Sequence, residues 1–288
     1  DLIPQYVEKL CEELKTTAEL AKKNGLYLKS VYWGGGTPTT LTHEQLDVIL
    51  TEVEKNFDLS RCIEYTVEAG RPDTITKEKL EVLKKHNVNR ISINPQTFNN
   101  SVLKEIGRCH SAEETAQKYN LARETGFDVI NMDLIAGLPT DTVEGFKNSI
   151  ENALSLNPEN ITVHTLSLKR SSTIVTEDEK SGLDATITSD MVEYANSRLT
   201  ECGYKPYYMY RQSKSLGNLE NVGWCKENKE CYYNVYMMSE CQTVLSVGAG
   251  SVTKLKEPDG KQIERIWRCF LVMAKSSHDT AIHIAETL

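Results

Sequence analysis

The sequence predicts an α/β protein built on a parallel sheet. Three observations carry that expectation. Strand-like runs recur five times, each followed or preceded by a stretch with helical periodicity, at intervals of about thirty residues. A polar or glycine feature stands at the end of every one of these strands. No internal repeat supports a solenoid. Repeated βα units give a parallel sheet, open or closed into a barrel, that gathers its ligand-binding groups at the carboxyl ends of the strands.

The elements follow in order. Ile3, Val7, Leu10, Leu14, Ala18 and Ala21 trace one helical face that ends at Asn24-Gly25. Leu28–Trp33 reads as a strand and runs into Gly34-Gly35-Gly36. Thr42 with Gln45 forms a capping box, opening a helix through Leu46, Ile49, Leu50 and Val53. Strand Glu64–Glu68, helix Thr76–His86 and strand Arg90–Asn94 continue the alternation. A helix at Ser111–Thr125, a strand at Asp128–Leu134, a helix at Thr142–Leu156 and a strand at Asn160–Leu168 complete it. Beyond Arg170 the pattern changes: a loop at Ser181–Ala185, a helix at Asp190–Cys202, a Tyr-rich strand at Tyr204–Arg211, then turn-rich residues to about Glu230. The run Cys231–Met238 and Gly248-Ala249-Gly250-Ser251 come next, and the last thirty residues carry no readable pattern. Residues 1–170 are therefore expected to form the core and 171–288 an α+β elaboration packed on it, since no Pro/Ser/Gly linker divides them.

Composition excludes several function classes. Lys plus Arg is 33 against 41 for Asp plus Glu, a net charge of −8, which argues against a duplex nucleic-acid binder or a polybasic membrane anchor. The longest apolar run, near Cys269–Ala274, is too short to span a bilayer. Asp1-Leu2-Ile3-Pro4 lacks the basic and apolar segments of a signal peptide, so a cytoplasmic location is expected. The chain starts without Met and is expected to be a piece of a longer protein. Its eight cysteines, at 11, 62, 109, 202, 225, 231, 241 and 269, include no C-x2-C pair and no zinc pattern, so free thiols are expected.

The chemistry is concentrated at the strand ends. Gly34-Gly35-Gly36-Thr37-Pro38 follows the first strand, and Glu68 ends the second. Asn94-Pro95-Gln96 follows the third, Asp133 with Gly137-Leu138-Pro139 closes the fourth, and Ser167 ends the fifth. Each has an ordinary reading alone. Three glycines make a tight turn, Glu64 is a charge at the start of a strand, and Glu68 is a salt-bridge partner. Asp133 and Gln96 can cap loops, and Arg108 can be a solvated helix end. His110 and His164 read more readily as packed or surface histidines than as general bases. The glycines match neither a Walker loop nor G-x-G-x-x-G. Taken together, two carboxylates, an amide and a guanidinium around a glycine shelf suit a zwitterionic ligand that carries hydroxyls.

Tyr32-Trp33-Gly34-Gly35-Gly36-Thr37-Pro38-Thr39 resembles the G-G-G-T-P segment of the oxygen-independent coproporphyrinogen III oxidase family, within the radical S-adenosylmethionine enzymes. The resemblance continues through Glu64-Tyr65-Thr66-Val67-Glu68-Ala69, Asn89-Arg90-Ile91-Ser92, Gln96-Thr97-Phe98 and Gly107-Arg108-Cys109-His110-Ser111. It runs on through Gly126-Phe127, Asp133-Leu134-Ile135-Ala136-Gly137-Leu138-Pro139 and Gly248-Ala249-Gly250-Ser251. Most of residues 1–170 is covered, and the remainder more thinly. Glu68-Ala69-Gly70-Arg71-Pro72 and Asn94-Pro95-Gln96 depart from the commoner E-A-N-P and G-V-Q patterns and look like the HemZ-type coproporphyrinogen dehydrogenase branch.

The resemblance implies a partial (β/α)6 TIM-like barrel and a site for S-adenosylmethionine. It assigns Gly35, Gly36 and Thr37 to the methionyl part of that cofactor, and Glu68, Gln96 and Asp133 to its amino and ribose groups. Arg108 would take its carboxylate, and Ser167 and Val252 would line the adenosine. The implied reaction is reductive cleavage of the cofactor at a [4Fe-4S] cluster. The resulting 5′-deoxyadenosyl radical takes hydrogen from a propionate of coproporphyrinogen III, and carbon dioxide leaves to give a vinyl group. A flavodoxin- or ferredoxin-like electron donor is implied as well. The family's C-x3-C-x2-C motif belongs before the first helix, where this chain begins. None of the eight cysteines replaces it, so the first barrel strand and the cluster loop are expected to lie outside this chain, which alone should hold no cluster. Lys169, Arg170 and Arg211 are the cations available to substrate propionates. A haem-binding chaperone of the same family is the rival reading. That branch typically carries an H-N-x-x-Y-W-like element, and Tyr233-Asn234-Val235-Tyr236 lacks its His. An unrelated barrel lyase or aldolase would want a Lys on a strand interior or a carboxylate metal cluster, and neither is visible.

Overall fold

The computed structural model describes residues 2–167, 185–212, 216–256 and 263–267. Its elements run α1 (Ile3–Lys23), β1 (Ser30–Trp33), α2 (His43–Asn56), β2 (Glu64–Ala69), α3 (Lys77–Lys85), β3 (Arg90–Ile93), α4 (Asn100–Glu105) and α5 (Ala112–Glu124). They continue with β4 (Val129–Ala136), α6 (Val143–Leu156), β5 (Asn160–Thr165), α7 (Ala185–Glu201), β6 (Lys205–Tyr210), β7 (Asn221–Cys225), α8 (Tyr232–Ser239), β8 (Val252–Lys256) and β9 (Ile263–Trp267). The chain divides into two compact units, Tyr27–Ser239 and a second made of Asp1–Leu26 with Glu240–Leu288.

The larger unit carries a seven-stranded sheet in the order β1-β2-β3-β4-β5-β7-β6. Its first five strands are parallel, as the repeated βα pattern predicts, and β7 and β6 extend the sheet antiparallel. The register sets Glu68 beside Ser92, Ser92 beside Asn131, and Asp133 beside Thr162. Because side chains alternate along a strand, this row shares one face. The opposite face is apolar: Val67, Ile91, Ile93, Ile130, Met132, Leu134 and Ile161 are completely buried. The helices contribute Leu46, Leu50, Leu80, Leu83, Phe146 and Ile150 to the core, all at 2% exposure or less. Each such side chain stabilises the fold by about 1.5–3 kcal/mol. One face of the sheet therefore holds the unit together and the other is free to be polar.

Helix starts follow the expected caps. In the Thr42 capping box, Gln45 N donates to Thr42 Oγ1 (3.3 Å) and Thr42 N to Gln45 Oε1 (3.0 Å). Glu114 N donates to Ser111 Oγ (3.1 Å) at the start of α5. Three features differ from expectation. The six-residue α4 is an additional helix, capped by Asn99, which accepts from Ser101 N. The residues read as turns contain β7, buried throughout and paired with both β5 and β6. Gly223 hides this strand from a propensity reading. It is glycine because the Tyr208 ring occupies the space that a Cβ would need. Finally, α7 begins at Ala185 rather than Asp190, its first turns held by buried Thr188 and Met191.

In the smaller unit, α1 buries Val7, Leu10, Leu14, Ala18 and Ala21, while Ile3, expected on that face, is 38% exposed. Gly248 N donates to Glu13 Oε2 (2.7 Å), and β8 pairs with β9 as an antiparallel hairpin. The loop expected at Ser181–Ala185 lies almost entirely outside the described residues, as do Lys169, Arg170 and Cys269.

Candidate functional site

The first parallel strand ends in glycines that adopt two different conformations. Gly35 (φ 78°) and Gly36 (φ 136°) take backbone angles that L side chains avoid, and no atom lies within 4 Å of where a Cβ would stand. Both are exposed and form an open shelf, and Thr37 is extended ahead of the Pro38–Thr40 turn. Gly34 differs, because a Cβ there would lie 2.6 Å from Glu68 Cδ and 2.8 Å from the Tyr32 ring. Its missing side chain lets a carboxylate approach the shelf.

Glu68 receives the Tyr32 phenol and the Gly35 backbone N–H. Burial, with the nearby Asp133 charge, nonetheless raises its carboxyl above the ordinary range. Burial also pushes the Tyr32 phenol well up, so it remains a donor. Tyr32 stacks on Tyr233 of α8, with ring centroids 4.0 Å apart.

Gln96 has φ 70°, an unusual angle for a residue with a side chain. Its backbone is clamped to β4: Gln96 N donates to Asp133 O, and Ile135 N to Gln96 O, both at 2.9 Å. His110 sits behind this loop, buried, with Nε2 3.3 Å from Pro95 O. The side-chain Oε1 of Gln96 is buried without a partner. Arg108 donates to Gly70 O (3.1 Å), and burial beside Arg71 lowers its affinity for its proton.

Asp133 completes the group. Burial alone would raise its pKa, but His164, Asn131 and Thr162 outweigh burial and hold it below the usual carboxylate range. Asn131 Nδ2 donates to its Oδ1 (2.8 Å), and His164 Nε2 faces its Oδ2 at 3.6 Å. Glu68 and Asp133 therefore sit in one field with opposite tendencies, and the carboxyl of Glu68 is the easier of the two to protonate.

Of the residues predicted from the sequence, Gly35, Glu68, Gln96, Arg108 and Asp133 are linked by direct bonds or by shared electrostatics, with Gly36 and Thr37 next along the same loop. Ser167 lies two residues past β5, half-buried. Val252 opens β8, in the other compact unit. Tyr32, Asn131, His164, Tyr208 and Tyr210 were not predicted. Their signal was period two: Asn131 shares a face with Asp133, and Tyr208 shares one with Tyr210. Glu64 is more than a charge at the start of a strand: its carboxylate accepts Tyr232 N (2.8 Å) and Tyr233 N (3.1 Å) at the start of α8. Arg211, available in principle to a substrate anion, pairs with Glu220 at 3.1 Å.

Residues 2–153 match the Radical SAM superfamily. The chain belongs to that family. It is 45% identical over 255 residues to the oxygen-independent coproporphyrinogen-III oxidase-like protein HemZ of Bacillus subtilis (strain 168), covering 87% of this chain and 50% of that protein. It is also 35% identical over 209 residues to the heme chaperone HemW of Lactococcus lactis, covering 71% and 53% respectively. The chain thus spans about half the length of the curated relatives it matches. The structure of coproporphyrinogen III oxidase HemN from Escherichia coli superposes with a TM-score of 0.71 at 23% identity, covering 87% of this chain and 57% of that one. The expected radical SAM partial barrel is the observed fold.

Radical SAM enzymes use S-adenosylmethionine and a [4Fe-4S] cluster, and the two fit this chain differently. The cofactor fits. The open shelf at Gly35 and Gly36, the unpartnered Gln96 Oε1, two carboxylates and Arg108 match its amino acid and ribose groups. For the cluster, no group of three or more His, Cys, Asp or Glu able to hold a metal gathers among the described residues. Burial pushes the Cys225 and Cys231 thiols up to about 11 and about 12, away from the thiolate form a metal needs. No helix among the described residues is long and apolar enough to cross a membrane.

Proposed function

We propose that this chain is the cofactor-holding part of an oxidoreductase that decarboxylates the propionates of coproporphyrinogen III to vinyl groups. The observation that carries the reading is the convergence of Glu68, Gln96, Arg108 and Asp133 beside an open glycine shelf. In this reading Gly35, Gly36 and Thr37 cradle the methionyl part of S-adenosylmethionine through the backbone, and Arg108 grips its carboxylate. Glu68 and Gln96 take its ammonium, and Asp133 its ribose hydroxyls. Ser167 adds an adenosine contact from the end of β5. When bound, the cofactor supplies radical chemistry after one-electron reduction by a flavodoxin- or ferredoxin-like donor. The chain's own contribution is orientation. Glu68 is fixed by Tyr32 and Asp133 by Asn131, so both carboxylates are in place before ligand arrives.

Similarity to HemZ over 87% of the chain supports the decarboxylase. Similarity to a heme chaperone over 71% of it favours a second reading, in which the same cofactor site serves haem delivery. Anaerobic assay of the full-length protein with coproporphyrinogen III, S-adenosylmethionine and a reductant separates the two. Stoichiometric carbon dioxide and vinyl products are expected. Tight haem binding with no turnover would overturn the decarboxylase in favour of the chaperone.

A further inference from the structure

Both oxygens of the Asp133 carboxylate lead, by separate routes, to a tyrosine on β6. On one side Asn131 Nδ2 donates to Asp133 Oδ1 (2.8 Å), and Asn131 Oδ1 accepts from Thr162 Oγ1 (3.2 Å). Thr162 Oγ1 is in turn 3.4 Å from the Tyr208 hydroxyl. The Asn131 amide hydrogens go to Asp133 and Ser92, so its oxygen accepts. Thr162 has one proton, directed to Asn131 Oδ1 or to Asp133 itself, and with it spent either way Tyr208 donates to Thr162. On the other side His164 Nε2 faces Asp133 Oδ2 at 3.6 Å, and His164 Nδ1 is 3.2 Å from the Tyr210 hydroxyl. A carboxylate beside Nε2 keeps the proton on that nitrogen, which leaves Nδ1 to accept from Tyr210.

The Thr162–Asn131 route runs donor to acceptor toward the carboxylate, so its hydrogen bonds polarise one another in the same sense, and the His164 route reaches the same carboxylate through a close electrostatic approach of 3.6 Å. The two phenols share a face. Met209 between them is 55% exposed, and their rings lie nearly parallel, at 5° with centroids 6.3 Å apart. Burial raises the pKa of both, so both keep the proton they donate. Asp133 retains 19% side-chain exposure, enough to offer a ligand one edge while the rest is held.

We propose that Tyr208 and Tyr210 are positioning residues that fix the Asp133 carboxylate for the ribose of S-adenosylmethionine, through Thr162–Asn131 and through His164. The proposal rests on the reading of Asp133 as a cofactor contact. It extends the functional site to β6.

The test measures S-adenosylmethionine affinity of the 288-residue chain by calorimetry for Tyr208→Phe, Tyr210→Phe, Asp133→Asn and the two double variants. Each phenol removal is expected to weaken binding about three- to tenfold, the worth of one hydrogen bond, with thermal melting nearly unchanged. In the Asp133→Asn background the same removals should change affinity less than about twofold. Equal losses in both backgrounds would mean a merely structural role and would overturn the relay. So would wild-type binding by both phenylalanine variants alongside loss by Asp133→Asn, which would leave the cofactor reading standing. Wild-type binding by Asp133→Asn, or none by the unmodified chain, overturns the cofactor reading itself. A ligand-free measurement decides the His164 arm independently. Nitrogen-15 shifts should report His164 as the Nε2–H tautomer, displaced by Tyr210→Phe, and an Nδ1–H tautomer would refute that arm.

Discussion

Gly34→Ala is the sharpest steric probe of the site. The backbone at Gly34 is ordinary and the turn itself tolerates alanine, so the effect comes from the added methyl group alone. That carbon would stand 2.6 Å from Glu68 Cδ, 2.7 Å from Glu68 Oε1 and 2.8 Å from Tyr32 Cε1. Carbon atoms pack at about 3.5–4.0 Å, so the carboxylate must retreat by roughly 1 Å. The retreat breaks the Tyr32–Glu68 bond, a hydrogen bond to a charged group worth about 1.5–3 kcal/mol. At roughly 2–4 °C per kcal/mol for a chain of this size, the melting temperature should fall by about 3–12 °C. The ammonium contact should go with it, lowering S-adenosylmethionine affinity at least about tenfold. Calorimetry and thermal melting are the assays, and Gly25→Ala is the control. At Gly25 the backbone is left-handed (φ 64°) and no atom lies within 4 Å, so stability should fall while the larger unit's ligand site is untouched. Wild-type binding by Gly34→Ala would refute the idea that Glu68 is placed by the absence of that side chain.

Two further outcomes follow from the same geometry. Because burial raises the Glu68 pKa in the folded state, its charge destabilises the fold at neutral pH, a penalty relieved as pH falls through that raised value. Glu68→Gln should therefore melt higher than the parent at pH 7 and bind S-adenosylmethionine more weakly, and the parent's affinity should drop on acidification before Asp133 titrates; a Glu68→Gln chain that binds as the parent does would sink the assignment. Gly223→Ala drives a methyl group into the Tyr208 ring, an overlap no rotamer change within β7 can relieve, and should cost more than about 3 kcal/mol in chemical denaturation; a loss below about 1 kcal/mol would show that β6 can swing away from β7.

The parts of this protein legible in the sequence are those decided by neighbours a few residues apart. The caps at Thr42 and Ser111 and the alternation of Glu64, Thr66 and Glu68 were readable in this way. So was the placement of polar groups at successive strand ends, because parallel βα topology puts them there whatever the details. What escaped depends on contacts across long stretches of chain. Gly223 sits in a strand paired with β5 and β6, and only the Tyr208 ring lying over it explains why that position is glycine. Glu64 looked like a stray charge because the amides it receives, at Tyr232 and Tyr233, arrive 168 and 169 residues later. His164 resembled any packed histidine until the register brought Asp133 and Tyr210 to either side of it. The tyrosines of β6 suggested a strand, and nothing local linked them to the fourth strand.

The strand order 5-7-6 also imposes a sequence of assembly. During synthesis β6 is completed before β7, yet it has no hydrogen-bonding neighbour in the sheet until β7 is laid between it and β5. The five parallel strands can be in register with Glu68, Gln96 and Asp133 already facing one another, while Tyr208 and Tyr210 still lack a place to dock. A nascent chain that has emerged only as far as Gly217 therefore holds every acidic group of the pocket but lacks the strand that seats its phenols. The side of the pocket that carries the phenols is built only when β7 joins the sheet.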